Sequence, residues 1–302
     1  MNEHSHNHED MSRSRFFVVT VLNVLITIAE FIGGVFSGSL SLISDAFHNL
    51  GDSLSIVISY VASRISLRNQ DESNTYGYKR AQIITAFLNS IALVIICVIL
   101  IVEAVRRFSH PEPIDGPLML TVAVIGLLAN AVSALLLNAG AKHNLNMKAT
   151  YLHIMSDALS SVAIIVGGIL IQIFHWNWVD PLVTILVAGY IAYESWPIIR
   201  QTNRILMEGA PKLDYEQIKS DLLEIDGVYN VHHVHAWLID EHNIVFSAHV
   251  NLHDMKISEA EPIYREIEAL LHQNYGICHV TIQAEANRGK DEDIIYDQGE
   301  DI

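Results

Sequence analysis

Two pairs of ionisable side chains share a spacing that chemistry can use. In Ala46-Phe47-His48-Asn49-Leu50-Gly51-Asp52, His48 precedes Asp52 by four residues, and His153-Ile154-Met155-Ser156-Asp157 repeats the interval. Residues four apart share one helix face, so each imidazole points the same way as its carboxylate. Both pairs lie inside long apolar runs with the character of membrane helices. An ionisable group at mid-bilayer costs about 2.5–3.5 kcal/mol on translocon scales, and such groups mark function by default. Two imidazoles and two carboxylates form the donor set that a borderline-soft divalent ion such as zinc accepts in a tetrahedral site. One pair alone reads equally as a hydrogen-bonded tie between helices; its repeat in a second span favours the metal. Asp45 falls near the face of His48 and is expected to support it. Glu30 either lines the same interior or bonds between helices, and Asn130 is read as an interhelical bond.

The elements that must position these groups are apolar runs at 14–36, 40–63, 81–106, 116–140, 147–174 and 179–200. Each supplies the ~20 residues a spanning helix needs. Six spans put both termini on one side. Arg13, Arg15, Arg64, Arg68, Lys79, Arg80, Lys142, Lys148, Arg200 and Arg204 cluster at one set of ends, against Arg106 and Arg107 at the other. The positive-inside rule makes the first side cytoplasmic. No cleavable signal is expected, because the start is polar and the first apolar run is too long for a signal core.

Composition agrees. The 302 residues are 51% apolar, and a formal net charge of -16, concentrated in the last hundred residues, argues against nucleic-acid binding. Cys97 and Cys278, the two cysteines, make no disulfide framework. Residues 1–13, with His4, His6 and His8, are expected to be a disordered tail able to hold a metal loosely.

After Arg204 the pattern becomes that of a soluble domain, 205–286. Asp214 with Gln217 resembles a capping box opening a helix that Gly227 closes. Residues 228–239 and 244–252 read as a hairpin, Ser258 with Glu261 opens a second helix to about 273, and 277–285 makes a third strand. The sum is a small α+β αββαβ unit of ferredoxin-like type. Residues 287–302 are acidic, lack a core pattern and are expected to be a disordered tail. In the second strand His249 faces away from Phe246, Ala248 and Val250. Strict alternation puts His232 opposite His233 and His235, and leaves open which of them meets His249. A cytosolic metal site drawn from His232, His235, His249, His279 and Glu285 competes with a solvated polar sheet face.

The run Ser39-Leu40-Ser41-Leu42-Ile43-Ser44-Asp45-Ala46-Phe47-His48-Asn49-Leu50-Gly51-Asp52-Ser53 resembles the second-span signature of the cation diffusion facilitator family. Tyr76-Gly77-Tyr78-Lys79-Arg80-Ala81, the His153 to Asp157 segment and His232-His233-Val234-His235-Ala236-Trp237 resemble its other motifs, and the match covers about residues 14–286. The likeness is to the bacterial zinc exporters in particular. It implies a homodimer of six-span α-helical subunits in the bacterial inner membrane, exchanging a divalent cation for protons, with no enzymatic step. Carried onto this chain, the transport site is His48, Asp52, His153 and Asp157. The cytosolic site maps onto His232, His249 and Glu285, with His235 or His279 as additions; Gln283 stands where some relatives have His. Lys79 or Arg80 would pair with Glu208.

The donor chemistry supplies a mechanism. Imidazole must be neutral and carboxylate ionised to hold Zn2+, so protons compete with the metal. No Gly-x-x-x-x-Gly-Lys phosphate loop points to nucleotide-driven transport. Exporters of Cd2+, Co2+ or Fe2+ share this donor logic. An intramembrane metal-dependent hydrolase would need an open coordination position and a general base, and no His-Glu-x-x-His is present. A metal sensor without flux is the third class. Ligand type should set selectivity: His48→Asp is expected to widen transport toward cadmium, checked by comparing zinc and cadmium uptake; unchanged preference would reject ligand type as the filter.

Overall fold

The computed structural model describes residues 3–141 and 145–295, and the side chains of 18–138 and 151–295. His4, His6, His8 and His143 lie outside the described side chains, as do residues 296–302 of the acidic tail. Six long helices come first: α1 Glu3–Ser37, α2 Leu40–Ser66, α3 Arg80–Ser109, α4 Gly116–Ala141, α5 Leu145–Phe174 and α6 Val179–Leu206. A helix of 26 residues, the length of α4, extends about 39 Å at 1.5 Å per residue, enough for a ~30 Å hydrocarbon core. α1 begins at Glu3, inside the segment expected to be a disordered tail.

Among the described residues five helices are long and apolar enough to cross a membrane, and α2 falls outside that set. The reason is local. α2 carries Asp45, His48, Asn49 and Asp52 among repeated serines, so the helix richest in candidate chemistry is too polar to join that set. The polarity of this part is inverted relative to a water-soluble protein. Leu128, Leu135, Leu186 and Phe36 are exposed while Glu30, Asp45, Asn49, Asn130, Asp157 and Asp180 are buried. An apolar exterior around a polar interior is stable only in lipid.

The chain divides into two compact units, Met1–Val61 with Ala86–Ile199 and Ala62–Thr85 with Arg200–Ile302. The α2–α3 connection thus belongs to the second unit rather than to the 14–204 block read from the sequence. Within the first unit, α4 packs against both α1 and α5. The start of α2 is held by Asp180, on the first turn of α6. Its Oδ1 accepts from the hydroxyls of Ser39 and Ser41, both at 2.6 Å, and from the Ser41 amide at 3.2 Å, while Oδ2 accepts from the Leu40 amide at 2.8 Å. A carboxylate there satisfies orphan amide donors and complements the helix dipole.

In the second unit α7 Tyr215–Leu223, β1 Val228–Leu238, β2 Ile244–Leu252, α8 Ile257–Tyr275 and β3 Ile277–Glu285 follow in order, with β1 antiparallel and β3 parallel to the central β2. α8 is the crossover that a parallel pair requires. Ile218 and Leu222 of α7 and Ile267 and Leu271 of α8 pack with Phe246, Ala248 and Val250 of β2. Asp214 caps α7 by accepting from the Gln217 amide at 3.1 Å, but the Gln217 side chain turns instead to Asp221 at 2.6 Å. α7 ends with Glu224 as its C-cap, ahead of Gly227. The cap of α8 lies two residues earlier than expected: Lys256 is the N-cap, and its amide donates to Glu259 at 3.0 Å.

The acidic end is not detached from the domain through residue 295. The Val234 amide donates to the Ile294 carbonyl at 2.9 Å, and Ile294 joins the domain core. Ile294 and Ile295 stand together among acids with no periodicity to read, which is why this segment looks disordered in the sequence. For the helical unit, Asp180→Ala should leave buried donors unpaired at a cost of about 3 kcal/mol, read as a fall in apparent Tm in detergent; an unchanged Tm would show that α2 is anchored elsewhere.

Candidate metal centre

α2 and α5 bring the two His–Asp pairs together. His153 Nε2 lies 2.9 Å from Asp52 Oδ2 and 3.8 Å from Asp157 Oδ2; His48 Nε2 lies 3.4 Å from Asp157 Oδ1 and 3.6 Å from Asp52 Oδ2. In a tetrahedron with zinc bonds of about 2.0–2.1 Å, donors stand about 3.3 Å apart. The four observed separations bracket that edge. His48, His153 and Asp157 each offer a donor atom within 4.8 Å of the others. Asp157 Oδ1 is buried without a hydrogen-bond donor, and a cation is one way to compensate such an acceptor.

The site is closed behind and open in front. The side chains of His48 and Asp157 are 10% and 3% exposed, those of His153 and Asp52 40% and 26%. His48, Asp52 and His153 line a cavity of about 510 Å3 together with Ser55, Asn89 and Glu194. Asn89 Nδ2 donates to Ser55 Oγ, and Tyr190 on α6 donates to Glu194 Oε1 at 2.5 Å while contacting Ser156 Oγ at 2.8 Å. Sequence reasoning did not single out Glu194 or Asp180. Their signal was available, an acid inside the 179–200 run, but it was overshadowed by the repeated His–Asp pairs.

Neighbouring groups fix the helix faces. Gly51 faces Leu93 of α3 so closely that a Cβ would collide with it, which lets α3 approach α2 beside the site. Asn49 Nδ2 donates to Glu30 Oε2 at 2.9 Å, so Glu30 makes a bond between α1 and α2. Asp45 is buried, but neither of its oxygens has a hydrogen-bond partner, so it does not orient His48 through a bond as expected. Asn130 Nδ2 also lacks a partner, so the interhelical bond read for it is not made by that group. The carboxyls in and around the site outnumber its imidazoles, a field that favours a cation.

In the second unit His232, His249 and Glu285 form another cluster, each offering a donor atom within 4.8 Å of the others. His232 Nε2 is 3.3 Å from Glu285 Oε2 and His249 Nδ1 is 3.3 Å from Glu285 Oε1. The register places His232 opposite His249 and His249 opposite Gln283. Strict alternation fails in between. The β1 register shifts between His232 and His235, and His233 has φ +50°, the left-handed region. A bulge of this kind re-aims a side chain. Both His232 and His233 therefore meet His249, at ring separations of 5.4 Å and 4.5 Å. His235 reaches His233, and His279 meets Tyr76 instead. Gln283 donates to Glu285 Oε1 at 2.7 Å. Glu292, from the segment expected to be disordered, puts Oε2 3.9 Å from His232 Nε2. Arg80 pairs with Glu208 at 3.2 Å on the surface of this unit, an exposed ion pair of little energetic weight.

Burial holds the His249 imidazole below its ordinary value, with Glu285 opposing the shift and His232 adding to it. A lowered value keeps the ring neutral, and so able to bind metal, into more acidic solution. In a chain carrying Asp157→Ala, zinc binding that depends on His249 should hold as pH falls to about 6.5 and weaken below it; calorimetric titration across pH checks this, and loss beginning above pH 7 would contradict it.

Two family descriptions match the chain, "Cation efflux transmembrane domain" over residues 16–207 and "Cation efflux protein, cytoplasmic domain" over 210–287. The "Cadmium, cobalt and zinc/H(+)-K(+) antiporter" of Bacillus velezensis is 37% identical across 93% of this chain and 91% of its own. The "Zinc transporter ZitB" of Escherichia coli is 35% identical over 93% and 92%, and the "Metal cation efflux system protein CzcD" of Cupriavidus metallidurans 32% over 93% and 89%. With matching descriptions over both its parts and its length aligned to such relatives, this multi-pass membrane protein belongs to the cation efflux, or cation diffusion facilitator, family of metal cation exporters.

Proposed function

We propose that this protein exports Zn2+ from the cytoplasm in exchange for protons, using His48, Asp52, His153 and Asp157 as the transport site. The observation that carries the reading is the convergence of two His–Asp pairs at separations of 2.9–3.8 Å beside a cavity of about 510 Å3. Its open side gives the ion a path, and its two imidazoles make binding compete with protons. When the site faces a more acidic compartment, protonation displaces the metal and loads the carrier for its return.

The relatives' names support zinc, and one adds cadmium, cobalt and potassium. Two nitrogens and two oxygens suit zinc, and the titrating ligands make the proton the counter-ion. The topology we propose has α1 to α6 as six spans of a homodimer in the bacterial inner membrane, both termini cytoplasmic. The second unit would be ferredoxin-like and regulatory, with His232, His249 and Glu285 holding zinc. Metal there would bias the carrier's conformations through its differential affinity for them.

Purified protein in liposomes should take up zinc when a proton gradient is imposed, and His48→Ala or Asp157→Ala should abolish that uptake. Retained gradient-driven uptake in both variants would overturn the site. A potassium gradient replacing the proton gradient with equal effect would overturn the counter-ion. Binding without flux in every condition would favour a sensor instead.

A further inference from the structure

We propose that residues 286–295 form a clasp over the cytosolic cluster, with the Glu292 carboxylate as a fourth donor beside His232, His249 and Glu285, so that zinc binding fastens the C-terminal segment to the sheet. This rests on the reading of those three residues as a metal site.

Three donors leave a zinc ion one position short of the closed tetrahedron that structural sites have. Glu292 Oε2 stands 3.9 Å from His232 Nε2, and its side chain is 44% exposed, so a flexible carboxylate approaches the cluster from the solvent side. Among the buried atoms without a hydrogen-bond partner are His232 Nδ1 and Glu285 Oε2.

Apart from the Arg288–Glu285 ion pair at 3.8 Å, the segment is held in place by contacts that do not involve the cluster's donors. Asn230 Nδ2 donates to the carbonyls of Gly289, Lys290 and Glu292 at 3.2, 3.0 and 3.2 Å. Asn251 Nδ2 donates to the Arg288 carbonyl at 2.8 Å, and the Tyr229 hydroxyl to that of Ala286. Ile294 inserts into the core. A buried amide such as that of Asn230 is costly to leave unmatched, so β1 is built to receive this strand of chain.

Gly289 shows how closely the segment crosses the cluster. It has φ +64°, and a Cβ there would run into the His232 ring. Only glycine lets the backbone pass at that distance. His232 is 1% exposed, and the segment that crosses it also carries Glu292. Metal that recruits Glu292 therefore tightens the cover over the site, and release of the segment opens it.

Hydrogen exchange and zinc calorimetry on the purified full chain test this, with Asp157→Ala in every arm to silence the transport site. Zinc should slow exchange across 286–295, and His249→Ala should remove that effect. Glu292→Gln should keep the metal-free protection, lose the zinc-induced increment, and weaken zinc affinity about tenfold, the order seen when a group supporting a metal site is removed. Asn230→Ala should speed metal-free exchange in the segment. If Glu292→Gln binds zinc as tightly as its parent and shows the same zinc-induced slowing, the clasp is wrong and the three-donor site stands. If zinc binding is indifferent to His249→Ala, the metal site itself fails.

Discussion

The fold depends on keeping charged and polar groups inside a helical unit whose outer surface is apolar. In such an interior an unmatched carboxylate is far more costly than on a surface, so each one needs a donor, a proton or a cation. The structure uses donors at one place and leaves acceptors exposed to one another at another. Asp180 is saturated by two hydroxyls and two amides at the head of α2. Asp157 keeps an oxygen without a hydrogen-bond donor, facing His48 at 3.4 Å. The first arrangement is a fixed joint; the second is the one proposed to exchange its occupant.

That contrast explains why α2 tolerates so much polarity. Its start is tied to α6 through Asp180, Asn49 is matched by Glu30, and Gly51 lets α3 close over its side. Asp45 stays buried in the helix interior, while His48 Nε2 and Asp52 are directed toward α5 and the cavity. A transport site has to bind its ion without holding it permanently. On the proposed function, donor separations near the tetrahedral edge would provide the binding, and the three ligands that line the cavity would provide the exit.

The small domain treats its polar cluster differently. Its three donors come from three adjacent strands, held by backbone register rather than by helix packing, and the chain's own end lies across them. A sheet fixes the spacing of His232, His249 and Glu285 more firmly than a flexible loop would, and the bulge at His233 brings a further ring against His249. Such a cluster suits an ion that stays, in keeping with the regulatory role proposed for it.

How much of this was legible in the chain follows from the range of the forces involved. Periodicity and length marked all the long helices and the three strands, because hydrophobic patterning is local. The interval between His48 and Asp52, repeated at His153 and Asp157, identified the transport candidates for the same reason: a helix turns spacing into direction. Pairings across the chain were not written locally. That Asp180 would cap a helix beginning 140 residues earlier, that the bulge would defeat alternation at His233, and that Glu292 would return to His232 all depend on tertiary contacts. An acidic tail with a few scattered apolar residues carries no period, and only the buried place waiting for Ile294 and the three carbonyls waiting for Asn230 decide that it folds back. Residue types and spacings thus determined which chemistry was possible, and the packing of distant segments decided which groups meet, because contact energy is gained only once the chain has closed on itself.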